Sequence, residues 1–249
     1  MLERLIGRVT NRLLTRLPGP GMDVPAHTPV VSFTFDDVPD SAFLEGAKIL
    51  EAHDGRGTFY IAGGILGREE ESRRLINAKG CAELAARGHE LGCHTFSHIN
   101  LQKTPRQALA KDLDRSAKAL GDIVPGYVPR NFAAPYNAGA FRHRPELARR
   151  FRSARGGMPG INRGRTDRTF LRSYPLQQPE QSVAGMHVLI DELVAKPGWL
   201  IFFGHDVSDR PTPFGCTPQS LAALVAHAQN SGCAILTINQ ALDRFEAAA

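Results

Sequence analysis

Short apolar runs alternate along this chain with longer segments of mixed polarity. Runs of about four to eight residues that are rich in β-branched and aromatic side chains, such as PVVSFTF, are typical of buried strands. We predict eight strands, at residues 29–35, 57–63, 89–94, 128–134, 151–154, 169–174, 199–204 and 233–238.

Helical patterns fill the segments between these strands. We predict helices at residues 41–53, in the stretch that ends at 87, and at 104–120, 143–151, 180–194 and 217–230. Thr104 and Pro105 suit the N-cap and the first helical position of the third of these helices. Seven or eight β/α units in one chain predict an α/β fold, a TIM-like (β/α) barrel around a parallel sheet.

The first residues have the pattern of a basic amphipathic helix. Arginine recurs at every fourth position from Arg4 to Arg16, beside leucine, isoleucine and valine. We divide the chain into this helix with a linker, residues 1–24, and a main domain, residues 25–249. Peripheral contact of residues 1–18 with an anionic membrane, or docking on the barrel or at a subunit interface, would suit such a helix. Because an uninterrupted apolar stretch is lacking, we expect a cytoplasmic protein, or one peripheral to the inner membrane.

Length and composition agree with one globular domain. The 249 residues are enough for a barrel with a large core. The formal charge of +5 favours acidic partners in general, but no nucleic-acid-binding module is visible, so we expect no nucleic acid partner. The four cysteines, at positions 81, 93, 216 and 233, have no CxxC spacing, and we expect reduced thiols.

Two polar motifs contain residue types that bind a catalytic metal. The TFDD motif places Asp36 and Asp37 at the end of the first predicted strand. In the HTFSH motif, His94 and His98 are four residues apart, so a helical turn would project both imidazoles from one face. Two histidines and one carboxylate can bind a divalent metal and leave a position open for water. The alternative is that the aspartates terminate a strand and the histidines form a solvated helix face.

A third polar group follows the apolar strand WLIFFG. His205 stands directly after it, and an imidazole there can donate a proton to a leaving group because its ordinary pKa lies near neutrality. The alternative is a core histidine that binds a backbone carbonyl. All three groups come at the C-terminal ends of predicted strands, where the catalytic groups of (β/α) barrels cluster.

Together, these segments resemble the NodB-type polysaccharide deacetylases, carbohydrate esterase family four, and their chitooligosaccharide deacetylases. The resemblance covers roughly residues 29–240. It rests on TFDD, on RGHELGCHTFSH, on FAAPYN and on the strand that ends in His205, in the family's order and spacing. It implies that the main domain is a deformed (β/α) barrel. It also implies that this domain removes acetyl groups from an N-acetylated or O-acetylated glycan.

The resemblance also implies roles for individual residues. Asp36 would be the general base and His205 the general acid, and the backbone N–H of Tyr136 would help to bind the oxyanion. The implied metal ligands are Asp37, His94 and His98. Zinc is the expected metal, with cobalt, manganese or nickel as alternatives.

One departure from the family concerns the partner of Asp36. Many members carry an arginine two positions before the Pro-Tyr of the third motif, where this chain has Ala133. We expect Arg155, which follows the strand-like residues 151–154, to place its guanidinium near Asp36, since neighbouring barrel strands end at one face. A surface charge beside a Gly-Gly turn is the alternative for Arg155.

The other departure concerns the partner of His205. The family's fourth motif, an Asp and a Trp that orient the acidic histidine, has no clear match. Asp167 and Asp206 are candidates to orient His205. Trp199 opens a strand, so we expect a packing role for it.

Two loops are candidates for substrate contact. Residues 155–168 combine arginine with glycine and would either grip an anionic or hydroxylated substrate or form a solvated loop. The Pro-rich residues 207–218 would either shape an acetyl pocket, with Phe214 or Phe203 against the methyl group, or pack as an ordinary loop.

The sequence is therefore compatible with three functions. The first is metal-dependent deacetylation of an acetylated glycan, and the second is hydrolysis of a cyclic amide or imide on the same scaffold. The third is glycan binding by a catalytically impaired protein, which the alanine at position 133 and the unclear fourth motif would explain. The oligomeric state is open as well.

Overall fold

Eight parallel strands form one curled sheet at the centre of the structure, a computed structural model that describes residues 2–17, 19–176 and 181–248. The strands are β1 (Gly21–Val24), β2 (Val30–Asp36), β3 (Thr58–Ile61), β4 (Glu90–Cys93), β5 (Asn131–Ala133), β6 (Ser153–Arg155), β7 (Gly164–Asp167), β8 (Tyr174–Pro175), β9 (Trp199–Gly204) and β10 (Ala234–Ile235). The helices are α1 (Leu2–Arg16), α2 (Ala47–Glu51), α3 (Ala78–Ala86), α4 (Arg106–Ile123), α5 (Arg144–Arg150), α6 (Gln181–Ala195), α7 (Pro218–Asn230) and α8 (Ile238–Glu246).

The order of strands makes an open barrel. It runs β6, β5, β4, β3, β2, β9, β8, and β10 pairs with the first residues of β2, on Val30 and Val31. Within the described residues, β6 and β8 do not pair with each other, and only an isolated bridge joins Arg155 to Leu171 there. The deformed (β/α) barrel expected from the sequence is therefore confirmed, with its gap between β6 and β8.

Strand β2 is buried along its whole length at the middle of the sheet. Its side chains meet the neighbouring strands on both sides: Phe33 stacks on Phe202 with ring centroids 5.6 Å apart, and Phe35 stacks on Phe59 at 5.0 Å. A parallel strand that is covered on both faces has a nearly continuous apolar sequence, which explains the composition of PVVSFTF. Each such phenylalanine contributes about 1.5–3 kcal/mol by its burial.

Two predicted helices differ from the structure near their ends. The helix predicted for 41–53 begins with a π-helical turn, Ala42–Gly46, and ends at Glu51. Thr104 is not the N-cap of α4, because its hydroxyl donates to the Asn100 carbonyl at 2.7 Å and Pro105 takes the cap position.

The strand predicted for 169–174 is largely absent, since only Tyr174 and Pro175 pair as a strand there. The strand predicted for 233–238 is also shorter, and the helix α8 that follows it was missed. Thr237 begins α8 with a capping box, in which Thr237 and Gln240 bind each other's backbone N–H groups. The predicted helix 180–194 has its first residue outside the described part of the chain.

The N-terminal segment packs against the barrel. Within residues 1–24, Gly21–Val24 form β1, which pairs antiparallel with β7 in a small second sheet. Leu14 of α1 is buried. In the described ranges, no helix combines the length and the apolar character needed to cross a bilayer. The four cysteines are free and buried.

Candidate active site

The residues with predicted chemical roles come from the C-terminal ends of adjacent strands. Asp36 is the last residue of β2 and Asp37 follows it with a positive φ of 57°. His94 follows β4, Arg155 ends β6 and His205 follows β9. Since these strands are parallel neighbours or near neighbours in the sheet, one end of the barrel brings all five side chains together.

Asp37, His94 and His98 form a compact group of possible metal ligands. One ligand atom from each lies within 4.8 Å of the others. The Oδ1 atom of Asp37 is 3.2 Å from Nε2 of His98 and 3.8 Å from Nε2 of His94. This oxygen is buried and accepts no hydrogen bond from the described residues. An unpartnered buried carboxylate oxygen is costly, and a cation shared with two imidazoles would satisfy it, so these residues fit a divalent metal.

His94 is oriented by the strand beside it. Its Nδ1 lies 2.9 Å from the carbonyl oxygen of Ala133. Because a carbonyl only accepts, Nδ1 carries the proton and Nε2 keeps its lone pair toward Asp37. Burial, together with the nearby His94, lowers the pKa of His98 to about 4, which keeps that imidazole neutral, as a ligand must be.

The two histidines lie on a loop and not on the helical turn that the spacing predicted. Thr95 and His98 both have positive φ, at 61° and 51°. Asp112 of α4 holds this loop, since its Oδ1 accepts from the backbone N–H groups of Phe96 at 2.7 Å and Ser97 at 3.1 Å. A loop fixed by one carboxylate therefore brings the imidazoles together.

Asp36 is bound by a buried guanidinium. Nη2 of Arg155 donates to Oδ1 of Asp36 at 2.6 Å and also contacts Oδ2. Ala133, where many family members have an arginine, is the register partner of Arg155 across β5 and β6. The guanidinium therefore comes from β6, the strand next to the one that carries the arginine in those members. Burial alone would raise the pKa of Asp36, but Arg155 and the neighbouring imidazoles outweigh it and the pKa is lowered.

Arg155 is itself held in place. Its guanidinium carbon lies 4.7 Å from the ring centre of Phe203 and 5.4 Å from that of Tyr60. Its Nη1 donates to the Asn137 side chain at 3.2 Å. These contacts hold the guanidinium against Asp36.

His205 faces the same group of side chains. Its Nε2 lies 3.9 Å from Oδ2 of Asp37. Its ring centre is 5.6 Å from that of Phe214. Burial lowers the pKa of His205, although Asp36 and Asp37 oppose that effect. The Nδ1 atom is buried and has no hydrogen-bond partner within the described residues.

Neither candidate for orienting His205 does so. Asp206 accepts from the backbone N–H of Thr212 at 2.7 Å and from its hydroxyl, so it fixes the loop that follows. Asp167 pairs with Arg144 instead. The prediction for Asp206 was wrong because proximity along the chain does not fix side-chain direction. Trp199 is buried, and its indole donates to Ser32 at 2.9 Å, in agreement with a packing role.

Tyr136 lies at the rim of the site. It has a positive φ of 58°, its ring centre is 4.6 Å from that of His98, and its side chain is largely exposed. The left-handed conformation turns the backbone just after β5, where the Pro-Tyr pair of FAAPYN stands.

A cavity of about 730 Å³ is lined by the two carboxylates, the three imidazoles and the tyrosine of this site: Asp36, Asp37, His94, His98, His205 and Tyr136. Phe203, Phe214 and Pro159 form apolar parts of its wall. The arginines after position 155 in the loop 155–168 are directed elsewhere, toward partners on the outside of the barrel: Arg163 binds Glu192, Arg165 binds Asp23, and Arg168 binds carbonyls of residues 148–152.

Sequence reasoning missed one wall of this cavity. Ile65, Arg68, Glu70 and Arg73 line it, in the segment between β3 and α3. The segment has no periodicity or motif, and its only signal was its position after the C-terminal end of a predicted strand.

A sequence profile described as polysaccharide deacetylase matches residues 23–149, just over half of the chain. The chain belongs to the polysaccharide deacetylase family. The resemblance to NodB-type members is thereby confirmed.

Two curated relatives of this family member are informative. A peptidoglycan-N-acetylglucosamine deacetylase from Bacillus cereus is 31% identical over 109 residues, which are 43% of this chain and 36% of that protein. A chitooligosaccharide deacetylase from Sinorhizobium fredii is 25% identical over 198 residues, 78% of this chain and 76% of that protein. The chain thus spans 36% of the length of the Bacillus cereus relative, and 22% of a peptidoglycan-N-acetylglucosamine deacetylase from Listeria monocytogenes.

Solved structures show the same fold. A protein of polysaccharide deacetylase type from Mycobacterium smegmatis superposes with a TM-score of 0.67 at 18% identity, over 93% of this chain and 95% of that one. The chitin deacetylase from Colletotrichum lindemuthianum gives a TM-score of 0.60 at 20% identity, over 87% and 88% of the two chains. These likenesses agree with the deformed barrel.

Proposed function

We propose that this protein is a metal-dependent hydrolase that removes acetyl groups from an N-acetylated or O-acetylated oligosaccharide or polysaccharide. One observation carries the proposal: two adjacent carboxylates have different partners. Asp36 is bound by the Arg155 guanidinium, whereas Asp37 faces two imidazoles with an unpartnered oxygen. The names of the Bacillus cereus and Sinorhizobium fredii relatives support the same reaction.

Asp37, His94 and His98 are the residues that would hold the metal. When bound, a divalent cation supplies Lewis-acid polarisation of the acetyl carbonyl and lowers the pKa of water. Zinc suits two imidazoles and one carboxylate, and cobalt, manganese or nickel also accept this set. The Ala133 carbonyl fixes the tautomer of His94 that this role requires.

Asp36 is the proposed general base. Arg155 keeps the pKa of Asp36 low, so the carboxylate is ionised at neutral pH and can accept a proton from the attacking water. Arg155 also fixes the direction of this carboxylate through its contact with both oxygens. Arg155 therefore acts on the reaction by positioning Asp36.

His205, with its Nε2 3.9 Å from Oδ2 of Asp37, is the proposed general acid. An amine is a poor leaving group as an anion, so hydrolysis of an N-acetyl group needs a proton donor at the nitrogen. The backbone N–H of Tyr136 is the proposed donor to the oxyanion of the tetrahedral intermediate. A preorganised donor of this kind contributes about 2.7–4 kcal/mol to the transition state.

A panel of substrates tests the proposal. Protein stripped of metal and reconstituted with zinc, cobalt, manganese or nickel would be assayed for acetate release from N-acetylglucosamine oligomers, peptidoglycan fragments and acetylated xylan. Small cyclic imides, assayed for ring opening, represent the alternative hydrolase. Acetate release that requires metal supports the proposal, and ring opening without acetate release assigns the alternative. Metal binding without turnover of any substrate contradicts the hydrolase and favours a glycan-binding role.

A further inference from the structure

Two guanidinium groups stand on the cavity wall between β3 and α3. Arg68 is exposed at the mouth, and Arg73 lies deeper, with 17% of its side chain exposed. Nε of Arg73 donates to Glu70 at 2.6 Å, and Nη2 lies 3.4 Å from Oδ2 of Asp37. With Glu70 as the one carboxylate of this segment that lines the cavity, the wall carries one positive charge in excess.

One nitrogen of this wall lacks a partner. Nη1 of Arg73 is buried and has no hydrogen-bond partner within the described residues. A buried charged donor without an acceptor is costly, so an anion held near this guanidinium offsets part of that cost. Guanidinium groups bind carboxylates and phosphates through paired, charge-assisted hydrogen bonds.

We propose that Arg68 and Arg73 form an anion-binding subsite, and that the substrate is an acetylated saccharide with a carboxylate or phosphate group. This inference rests on the proposed deacetylase function, because it names the substrate class of the same cavity. The nearness of Arg73 to Asp37 places the anion on the acetylated sugar or on the residue next to it. Arg73 supplies a fixed positive charge beside Asp37, and the exposed guanidinium of Arg68 adds a second one.

Binding measurements on the zinc-loaded protein test this subsite without any turnover. The probes are neutral N-acetylglucosamine, N-acetylmuramic acid for the carboxylate and N-acetylglucosamine 6-phosphate for the phosphate, each titrated by calorimetry. We expect at least one anionic probe to bind about tenfold more tightly than the neutral sugar, and which one does so identifies the anion. Equal affinities for all three probes, or no binding of the anionic ones, would overturn the proposal.

Matched variants locate the anion. Arg68→Gln should lower the affinity for the preferred anionic probe toward that of the neutral sugar, and Arg68→Lys should retain part of it. Arg74→Gln is the control, because Arg74 is an exposed arginine of the same segment that contacts Asp40 and does not line the cavity. An anion preference that survives Arg68→Gln unchanged would show that Arg68 takes no part in it, and the subsite of two arginines would be wrong. Acetate assays are scored separately, so either proposal can fail alone.

Helix α1 docks through one face and leaves another exposed. Leu14 is 1% exposed, and the Asn11 side chain binds the loop after Tyr136, donating to the Asn137 carbonyl at 2.7 Å and accepting from the Gly139 N–H at 3.1 Å. On the opposite face, Val9 and Leu13 are 51% and 43% exposed. Arg12 and Arg16 are exposed between and beside them.

This outward face combines apolar side chains with cations four residues apart, the chemistry of a helix in the interface of an anionic bilayer. We infer that α1 attaches the protein to anionic lipid. Leu17, which is 52% exposed just after the helix, extends the apolar row. Apolar insertion alone does not explain the arginines, whereas anionic headgroups pair with them.

Vesicle sedimentation with the full chain tests the attachment. Wild-type protein should bind phosphatidylglycerol-containing vesicles about tenfold more tightly than pure phosphatidylcholine vesicles, and salt should weaken the binding. Val9→Glu combined with Leu13→Glu should abolish it. Val128→Glu, at an apolar residue that is 68% exposed elsewhere, should not. The inference would be overturned if the wild-type protein did not bind vesicles, or if the double variant still bound them. It would also be overturned if the wild-type protein bound no vesicles and formed a dimer that the double substitution abolished.

Discussion

Arg155 and Asp36 form a buried ion pair in which one guanidinium nitrogen contacts both carboxylate oxygens, at 2.6 Å for Oδ1. Arg155 is the register partner of Ala133 across β5 and β6. Ala133 stands where many family members have an arginine, so the same charge reaches the carboxylate from the next strand. A parallel sheet allows this exchange because adjacent strands end at the same level.

Removal of the guanidinium should change the pH dependence of turnover. Burial raises the pKa of Asp36 and Arg155 is the largest influence that lowers it, so that pKa should rise when the guanidinium is removed. A base must be ionised, so the acidic limb of the kcat/KM profile should move to higher pH in Arg155→Ala, by about one to three units. Arg155→Lys keeps the charge and should move it less. A profile identical to wild type, in a variant shown to be folded by its melting temperature, would rule out the positioning role.

The loop of His94 and His98 should depend on Asp112. Asp112→Ala removes the acceptor of two backbone N–H groups, so the imidazoles should lose their fixed arrangement. We expect metal affinity to fall by about 10–100-fold, as for other groups that orient metal ligands. Competition with a chelator measures it. Asp112→Asn retains an acceptor oxygen and serves as the control, and equal affinities in the alanine variant and wild type would contradict this account of the loop.

The side chain of Tyr136 should matter little to kcat. Its proposed contribution is the backbone N–H, and glycine adopts a φ of 58° without strain. Tyr136→Gly should therefore keep kcat close to the wild-type value when acetate release is measured. A loss of about 10²–10³ would show that the side chain itself stabilises the transition state.

The loss of stability on acidification should include a contribution from Glu51. Its carboxylate accepts from Arg87 at 2.7 and 2.8 Å, and this bond, with a further one from His89, lowers the pKa of Glu51 against the opposing effect of burial. A lowered folded-state pKa stabilises the protein above the ordinary glutamate pKa, and the stabilisation is lost as the pH falls through the folded value.

Glu51→Gln should thus be less stable than wild type at neutral pH by about 0.2–1 kcal/mol, and the difference should shrink on acidification. Urea unfolding at pH 7 and pH 4 measures this. A difference that stays constant with pH would show that the pair does not act through the charge of Glu51.

The sequence predicted the part of the site that strands carry. Asp36 and His205 follow long apolar runs, and a polar residue at such a point has its position fixed by the sheet. The loop of His94 and His98 was misjudged as a helical turn, because its left-handed residues depend on Asp112, which is 14 residues beyond His98. No local sequence pattern predicts such a contact.

Other parts were missed for related reasons. Arg68 and Arg73 lie in an aperiodic segment, so only the assembled barrel shows that they face the cavity. Asp206 was a candidate to orient His205, but its side chain turns to Thr212, a direction set by loop packing. Helix α8 was missed because the strand before it has only two residues, whereas the apolar pattern there favours a longer strand.

The central claim is that Asp36 acts as the base while Asp37 holds the metal, and paired assays of Asp36→Asn and wild type test it most directly. Acetate release and bound metal per chain would be measured on the same reconstituted samples, with the acetylated glycan that wild type turns over fastest. The account predicts wild-type metal content and no detectable acetate from the variant. Acetate release near the wild-type rate, or loss of metal together with activity, would contradict this division of labour between the two carboxylates.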